Sequence, residues 1–210
     1  MQGSDRICHD RPMTAAKAPP EPSDTATRIL DSAERLVQRR GFNGFSYADV
    51  AAELGVTKAS LHYHFPGKAE LGEALIERYT RRFAEALERI EADTDEPLER
   101  LRAYAGLYGD VLEQGRMCLC GMLASEYETL PRPMRGAVIR FFDESETWLE
   151  RVLEEGRERG VLQFGGSSRE AARLVVSGLE GALLVSRPYG DAQRFRDAAD
   201  GLIAGLAAHS

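Results

Sequence analysis

The sequence predicts an all-α protein: a three-helix head carrying a helix-turn-helix, followed by a larger helical body, about nine helices in all. Three observations predict it. Residues 46–65 hold two short apolar stripes hinged on Gly55. Apolar positions then recur at i, i+3, i+4 and i+7 along much of the remaining chain. Breakers punctuate these stripes at Gly41, Pro66-Gly67, Gln114-Gly115, Pro131 with Pro133, and Gly160.

In the head, a helix over about 25–40 starts at Ser23 or Asp24, carries Ile29, Ala33, Leu36 and Val37 on one stripe, and ends at Gly41. Phe42 and Phe45 flank Asn43-Gly44 and can plug the gap to the next helix. Ser46 caps that helix, whose buried face is Val50, Ala51 and Leu54. Gly55 supplies a left-handed turn, and Thr57 can cap the helix that follows. The spacing of Ala51, Gly55 and Leu61 is that of a helix-turn-helix, in which the small residues let two helices cross closely and the leucine fills their angle. Leu61 and Phe65 face inward, so Lys58, Ala59, Ser60, His62, Tyr63 and His64 lie on or near the outward side. That side is basic, hydroxylic and aromatic, which suits a DNA major groove with flanking phosphates. Lys58 and Lys68 are expected on phosphates, with Ser46, Tyr47 and the helix start beside them forming another phosphate site. Ser60, His62 and Tyr63 could reach base edges, and Ala59 a thymine methyl.

Pro66-Gly67-Lys68 opens a long helix over about 67–92, with Leu71, Leu75, Tyr79, Phe83, Leu87 and Ile90 on its stripe. The run from Thr57 to Leu71 (Thr57-Lys58, the aromatic cluster Leu61-His62-Tyr63-His64-Phe65, then Lys68 and Leu71) resembles the recognition-helix signature of the TetR family of transcriptional repressors, and the likeness extends from about Thr27. His62 stands where the family commonly has tyrosine, which leaves base preference open. The resemblance implies a DNA-binding head, a ligand-binding body and a homodimer on a palindromic operator. The expected boundaries are a disordered tail at 1–23, where Ala18-Pro19-Pro20-Glu21-Pro22 cannot continue a helix, a head at 24–66 and a body at 67–210.

In the body, Pro97 starts a helix with Leu101, Tyr104, Ala105, Tyr108 and Leu112; an apolar helix is expected over 117–130, and a long one over about 134–159 with Val138, Phe141, Phe142, Trp148, Leu149 and Val152. Val161–Gly166 reads as a loop, and Ser167 or Ser168 caps the next helix. The last two helices carry Leu174, Val175, Gly178, Leu179 and Ala182, then Phe195, Ala199, Leu202, Ile203 and Leu206. These faces can be ordinary core or the dimer interface. The interface is the reading the resemblance implies, because related proteins pair their last two helices into a four-helix bundle.

Met117-Cys118-Leu119-Cys120-Gly121-Met122 stands out. Cysteine and methionine fill apolar gaps, so core packing is one reading. The other is a ligand site, in which Met117, Cys118, Cys120 and Met122 belong to a pocket walled by Tyr104, Tyr108, Phe141, Phe142 and Trp148; residues two apart on a helix point roughly opposite ways, so one cysteine would face the pocket and the other a different layer. The inducer would be a small apolar, aromatic or electrophilic molecule, and a thiol sensor would need a depressed cysteine pKa. No cofactor is expected, and no metal, since two cysteines without a nearby histidine fall short of a four-ligand set. Neither a nucleophile elbow, a phosphate loop nor a His-Glu-x-x-His run is present, so enzyme chemistry is not expected.

The net charge of −7 resides wholly beyond residue 70, because residues 1–70 are balanced. A neutral head on an acidic body can still bind a polyanion if its basic groups share a face. The apolar run Leu174–Ser186 is broken by Glu180, so no span across a membrane is expected, and three cysteines suit a reducing cytoplasm.

Overall fold

The computed structural model describes residues 24–208, so the tail expected at 1–23 lies outside the described residues. Among them the chain forms nine α-helices and no strands: α1 (Asp24–Arg40), α2 (Tyr47–Leu54), α3 (Lys58–His64), α4 (Lys68–Asp93), α5 (Pro97–Glu113), α6 (Leu119–Ser125), α7 (Arg132–Glu158), α8 (Ser168–Ser186) and α9 (Ala192–Ala204). None is long and apolar enough to cross a membrane.

Local chemistry sets most boundaries. Ser46 and Asp49 form a capping box at α2, Gly55 ends it at φ +65°, and the Thr57 hydroxyl accepts from the Ser60 N–H, 3.2 Å away, to start α3. Ser167 and Glu170 repeat the capping box at α8. Pro97 opens α5. Two boundaries differ from expectation. The apolar stretch 117–130 is helical only over Leu119–Ser125, followed by a 3₁₀ turn at Tyr127–Thr129. Pro131 and Pro133 do not merely end it; they cap and open α7, where a missing N–H costs nothing.

α1, α2 and α3 pack around Ile29, Ala33, Val37, Val50 and Leu61, all fully buried or nearly so, and the start of α4 closes this core with Leu71 and Leu75. In the body α7 packs most extensively on α8, α8 on α9, and α4 and α5 on α7. The C-terminal residues tie back to the loop after α7: Gln163 N–H donates to the Leu206 carbonyl at 2.8 Å and Ala208 N–H to that of Val161 at 3.1 Å. The core is continuous from head to body.

Candidate nucleic-acid interface and effector core

α3 is anchored by Leu61, which is fully buried, and presents Lys58, Ala59, His62 and Tyr63 to solvent. Tyr63 is 85% exposed, an extreme for a large aromatic, and meets the His64 ring edge-on at 5.1 Å. His62 packs against Tyr47 with the rings tilted by 47°, 4.8 Å between centroids, and its Nδ1 lies 3.0 Å from the Pro66 carbonyl. An Nδ1–H donated there leaves Nε2 as an acceptor for a base amino group. Ser60 and His64 are half-buried at the margins, and Thr57 is engaged as a cap.

Ser46, Tyr47, Lys58, His62 and Lys68 border one recess of about 360 Å³ between the start of α2 and α3. The structure thus brings the expected phosphate group together, but assigns three of its members other duties. The Ser46 hydroxyl donates to Asp49 Oδ2 at 2.6 Å, which with the Ser46 N–H holds that exposed carboxyl below its usual range. Tyr47 is buried; its hydroxyl donates toward the carbonyls of Gly67 and Phe65, 2.6 and 2.8 Å away, and desolvation pushes its pKa up to about 12. Lys68 Nζ donates to the Phe45 carbonyl at 2.5 Å and lies over the rings of Phe42 and Phe45, 4.6 and 4.4 Å from their centroids. Burial lowers its pKa. Lys68 is therefore a clasp joining α4 to the α1–α2 turn, with a phosphate as at most an additional partner.

The body differs more from expectation. Tyr104, Tyr108, Phe141 and Trp148 are buried and fill their own space rather than walling a cavity. Tyr104 stacks on Trp148 (5.6 Å, 16°), Phe83 packs edge-on against Tyr104, Tyr108 and Phe141, and the Tyr104 and Tyr108 hydroxyls lie 3.1 Å apart. Phe142 is half-buried beside Phe141, and Met122 is half-buried with its sulfur accepting from Arg187 at 3.3 Å. Met117 is buried, and its N–H donates to the Gln38 carbonyl. Of these residues only Trp148 borders a groove described here, a cleft of about 510 Å³ between α4 and α7.

Cys118 and Cys120 are both buried and unbridged. Cys118 is not helical: with φ −52° and ψ 130° it caps α6, its sulfur accepting from the Gly121 N–H at 3.5 Å and the Tyr79 hydroxyl at 3.6 Å. The two thiols therefore do not point to opposite sides of one helix. Their neighbour is Glu180 of α8, a residue sequence reasoning noticed only as an interruption of an apolar run. Burial pushes the Glu180 carboxyl up to about 7, opposed by a hydrogen bond from the Cys118 thiol. The same burial, reinforced by the Glu180 charge, pushes both thiols well above the ordinary cysteine range. The depressed pKa a thiolate sensor needs is absent from this arrangement. Gly121 makes the close approach possible, since a Cβ there would sit 2.2 Å from Glu180 Oε2.

The segment Met117–Thr129 also joins body to head. Glu126 accepts from the Phe42 N–H at 2.5 Å and from that of Asn43 at 3.3 Å, and the Asn43 amide donates to the Thr129 hydroxyl at 2.7 Å. Arg116 donates to the Gln38 side chain at 3.2 Å, and Arg187 to the Arg39 carbonyl. On the other side of α1 the buried Glu34 pairs with Arg78 and Arg82 of α4 at 2.9 and 2.5 Å, and Arg78 also reaches Asp31 at 2.8 Å. None of these long-range pairs had a sequence signal beyond the presence of charge.

Two family models match the chain. Residues 29–75 match the bacterial regulatory proteins of the TetR family, and residues 97–202, half of the chain, match the tetracyclin repressor-like C-terminal domain. The chain belongs to the TetR family. It is a DNA-binding transcriptional regulator with an all-α helix-turn-helix head and a ligand-binding body, and the family's members act as dimers. It is 30% identical over 168 residues to the Bacillus subtilis regulator LmrA, covering 78% of this chain and 86% of that one. It is 28% identical over 171 residues to the Escherichia coli repressor NemR, covering 78% and 84%. A TetR-family regulator of known structure from Agrobacterium tumefaciens superposes with a TM-score of 0.84 at 34% identity, covering 87% of this chain and 97% of that one.

Within this TetR-family body the expected dimer face divides in two. Val175, Leu179, Phe195, Ala199, Ile203 and Leu206 are buried within the single chain, so they are intramolecular core, packed toward α5 and α7. Leu174, Gly178, Ala182 and Leu202 face outward or sit half-buried, and Val185 continues the line from Leu174 one turn after another. Leu174, Leu184 and Val185 are each more than half exposed.

Proposed function

We propose that the chain is a homodimeric repressor that binds a palindromic operator through paired α3 helices and is released by a small molecule entering the body. Residues 24–66 act as the head and 67–210 as the body, the partner is a second copy packed on the outer face of α8 and α9, and the protein works in the cytoplasm without catalytic activity. The observation that carries this reading is α3 itself: Leu61 fully buried, Tyr63 85% exposed, and Lys58, Ala59 and His62 beside it on the open side. An aromatic ring left this open on a short polar helix has most of its surface unpacked in its own chain, and a major groove supplies a partner for it. The NemR relative, itself described as a repressor, supports the sign of regulation.

Effector control follows from the two bridges to α1. A molecule that enlarges the aromatic core pushes on α4 and α6 as well as on α5 and α7, because Tyr79 and Phe83 lie on α4 and Cys118 leads into α6. Moving α4 drags the Glu34–Arg78 pair and the Lys68 clasp; moving α6 drags Glu126 from the α1–α2 turn. Either tilts the head, and paired heads must keep a separation of one helical turn of DNA to bind two half-sites.

Selection of bound duplexes from a randomised pool tests the DNA half. The wild-type protein should enrich an inverted repeat, and the Lys58→Ala/Tyr63→Ala variant should not. No enrichment by the wild type, or equal enrichment by the variant, overturns it.

A further inference from the structure

We propose that Met122 is a peroxide-sensitive methionine, whose conversion to the sulfoxide takes Arg187 off the end of α1 and loosens the head. This rests on the operator-binding reading above and adds a regulation to it.

Met122 belongs to a tie that spans three elements. Arg187 begins the 3₁₀ turn Arg187–Tyr189, directly after α8. Its Nη1 donates to Met122 Sδ of α6 at 3.3 Å, and its Nη2 donates to the carbonyl of Arg39 in the last turn of α1. That carbonyl is one of the four that a helix end leaves without a partner inside the helix. Its neighbour, the Gln38 carbonyl, accepts from the Met117 N–H at 3.2 Å. Two carbonyls of this last turn are therefore satisfied by groups of the body. The guanidinium also lies at the negative end of the α1 dipole, where a cation is favourable. The turn that follows leads directly into α2 and so orients the helix-turn-helix.

Exposure singles out this sulfur. Among the described residues, Met117, Cys118, Cys120 and Met134 are 0 to 3% exposed, whereas Met122 is half-buried at the margin of the core. Hydrogen peroxide arriving from solvent meets Met122 first of these. A thioether needs no ionisation to react, unlike the two thiols, which burial keeps protonated.

The step is an oxygen transfer. A lone pair of Sδ attacks one peroxide oxygen and the O–O bond breaks. The proton on the attacked oxygen passes to the departing hydroxide, which leaves as water. Sulfur is oxidised by two electrons and the peroxide is reduced by two. A weak acceptor becomes a strongly polar one. The new S–O bond together with an N–H···O distance of about 2.9 Å needs more room than the 3.3 Å that now separates Sδ from Nη1. The guanidinium cannot retreat toward Arg39, whose carbonyl it already touches. It swings outward, where Arg187 is exposed, and the Arg39 carbonyl loses its partner. Sulfoxide reduction by a methionine sulfoxide reductase restores the tie.

The test treats the full-length protein with limiting hydrogen peroxide. Peptide mass spectrometry should find one added oxygen on Met122 ahead of Met117 and Met134. Hydrogen exchange without DNA should quicken at the Arg40 and Gly41 amides, and operator affinity should fall about three- to tenfold. A methionine sulfoxide reductase should reverse all three. Met122→Leu should bind operator normally and lose the response, which separates Met122 from Cys8, Met1 and Met13. Arg187→Ala should show the faster exchange and weaker binding before any peroxide is added. Earlier oxidation of Met117 or Met134, unchanged exchange once Met122 carries the oxygen, or a response that persists in Met122→Leu overturns the proposal. Faster exchange with unchanged operator affinity overturns its regulatory half. Because exchange is read without DNA, it decides the switch even where the operator reading fails.

Discussion

Replacing Glu180 by glutamine should change how stability depends on pH, by an amount set by its burial. In the unfolded chain this carboxyl ionises near 4.5, whereas in the folded chain burial holds it to about 7. The folded state therefore binds more protons between those values, so the contribution of Glu180 to stability is greatest below pH 4.5 and is lost as pH rises through 7. The displacement corresponds to roughly 3 kcal/mol when complete. Glutamine keeps the shape and does not titrate. Urea unfolding of both proteins, followed by circular dichroism at one fixed protomer concentration because dimerisation contributes to stability, gives the difference directly. At pH 5 the two should be similar, and at pH 8.5 the variant should be more stable by about 2–3 kcal/mol. Titration of groups that do not feel the Glu180 charge cancels in the difference; Cys118 and Cys120, whose pKa values that charge helps to raise, stay neutral in both folded proteins because burial is the larger cause. A stability difference that does not vary with pH would refute the reasoning, because it would mean that Glu180 ionises in the fold as easily as in water.

Tyr63→Ala should weaken operator binding by about tenfold or more, measured by fluorescence anisotropy, with stability unchanged within about 0.5 kcal/mol because the ring packs on so little. Glu126→Ala should strand the N–H groups of Phe42 and Asn43 and cost about 1–3 kcal/mol, with faster hydrogen exchange at those two amides as the direct readout. Phe195→Ala should cost about 3–5 kcal/mol in unfolding, as a core residue. Leu174→Glu combined with Val185→Glu should instead leave helicity intact and yield monomers in analytical ultracentrifugation; a persistent dimer would place the interface elsewhere.

The head was largely legible from residues because its determinants are short-range. Ser46, Gly55 and Thr57 set helix ends by hydrogen bonds and backbone conformation within four residues, and the same spacing that buries Leu61 turns Tyr63 outward. Tyr47 and Lys68 were placed correctly in the chain but assigned to phosphates, because their partners, the carbonyls of Phe65, Gly67 and Phe45, lie 18 to 23 residues away and carry no side-chain signal.

By itself the sequence determined the all-α class, the helix-turn-helix and the succession of helices, since apolar periodicity, caps and breakers are local properties. Only the tertiary structure decided what each apolar face meets. α8 carries Val175, Leu179 and Leu183 on one side and Leu174 and Val185 on another, and periodicity ranks neither; packing of α5 and α7 buries the first set and leaves the second for a partner. The same holds for Glu180, Cys118 and Glu126. A carboxylate's solvation depends on which helices surround it, so a charge that looks like an interruption in α8 becomes a half-buried group with one oxygen shut off from water only once Tyr79, Tyr104 and Cys118 of the neighbouring elements close on it.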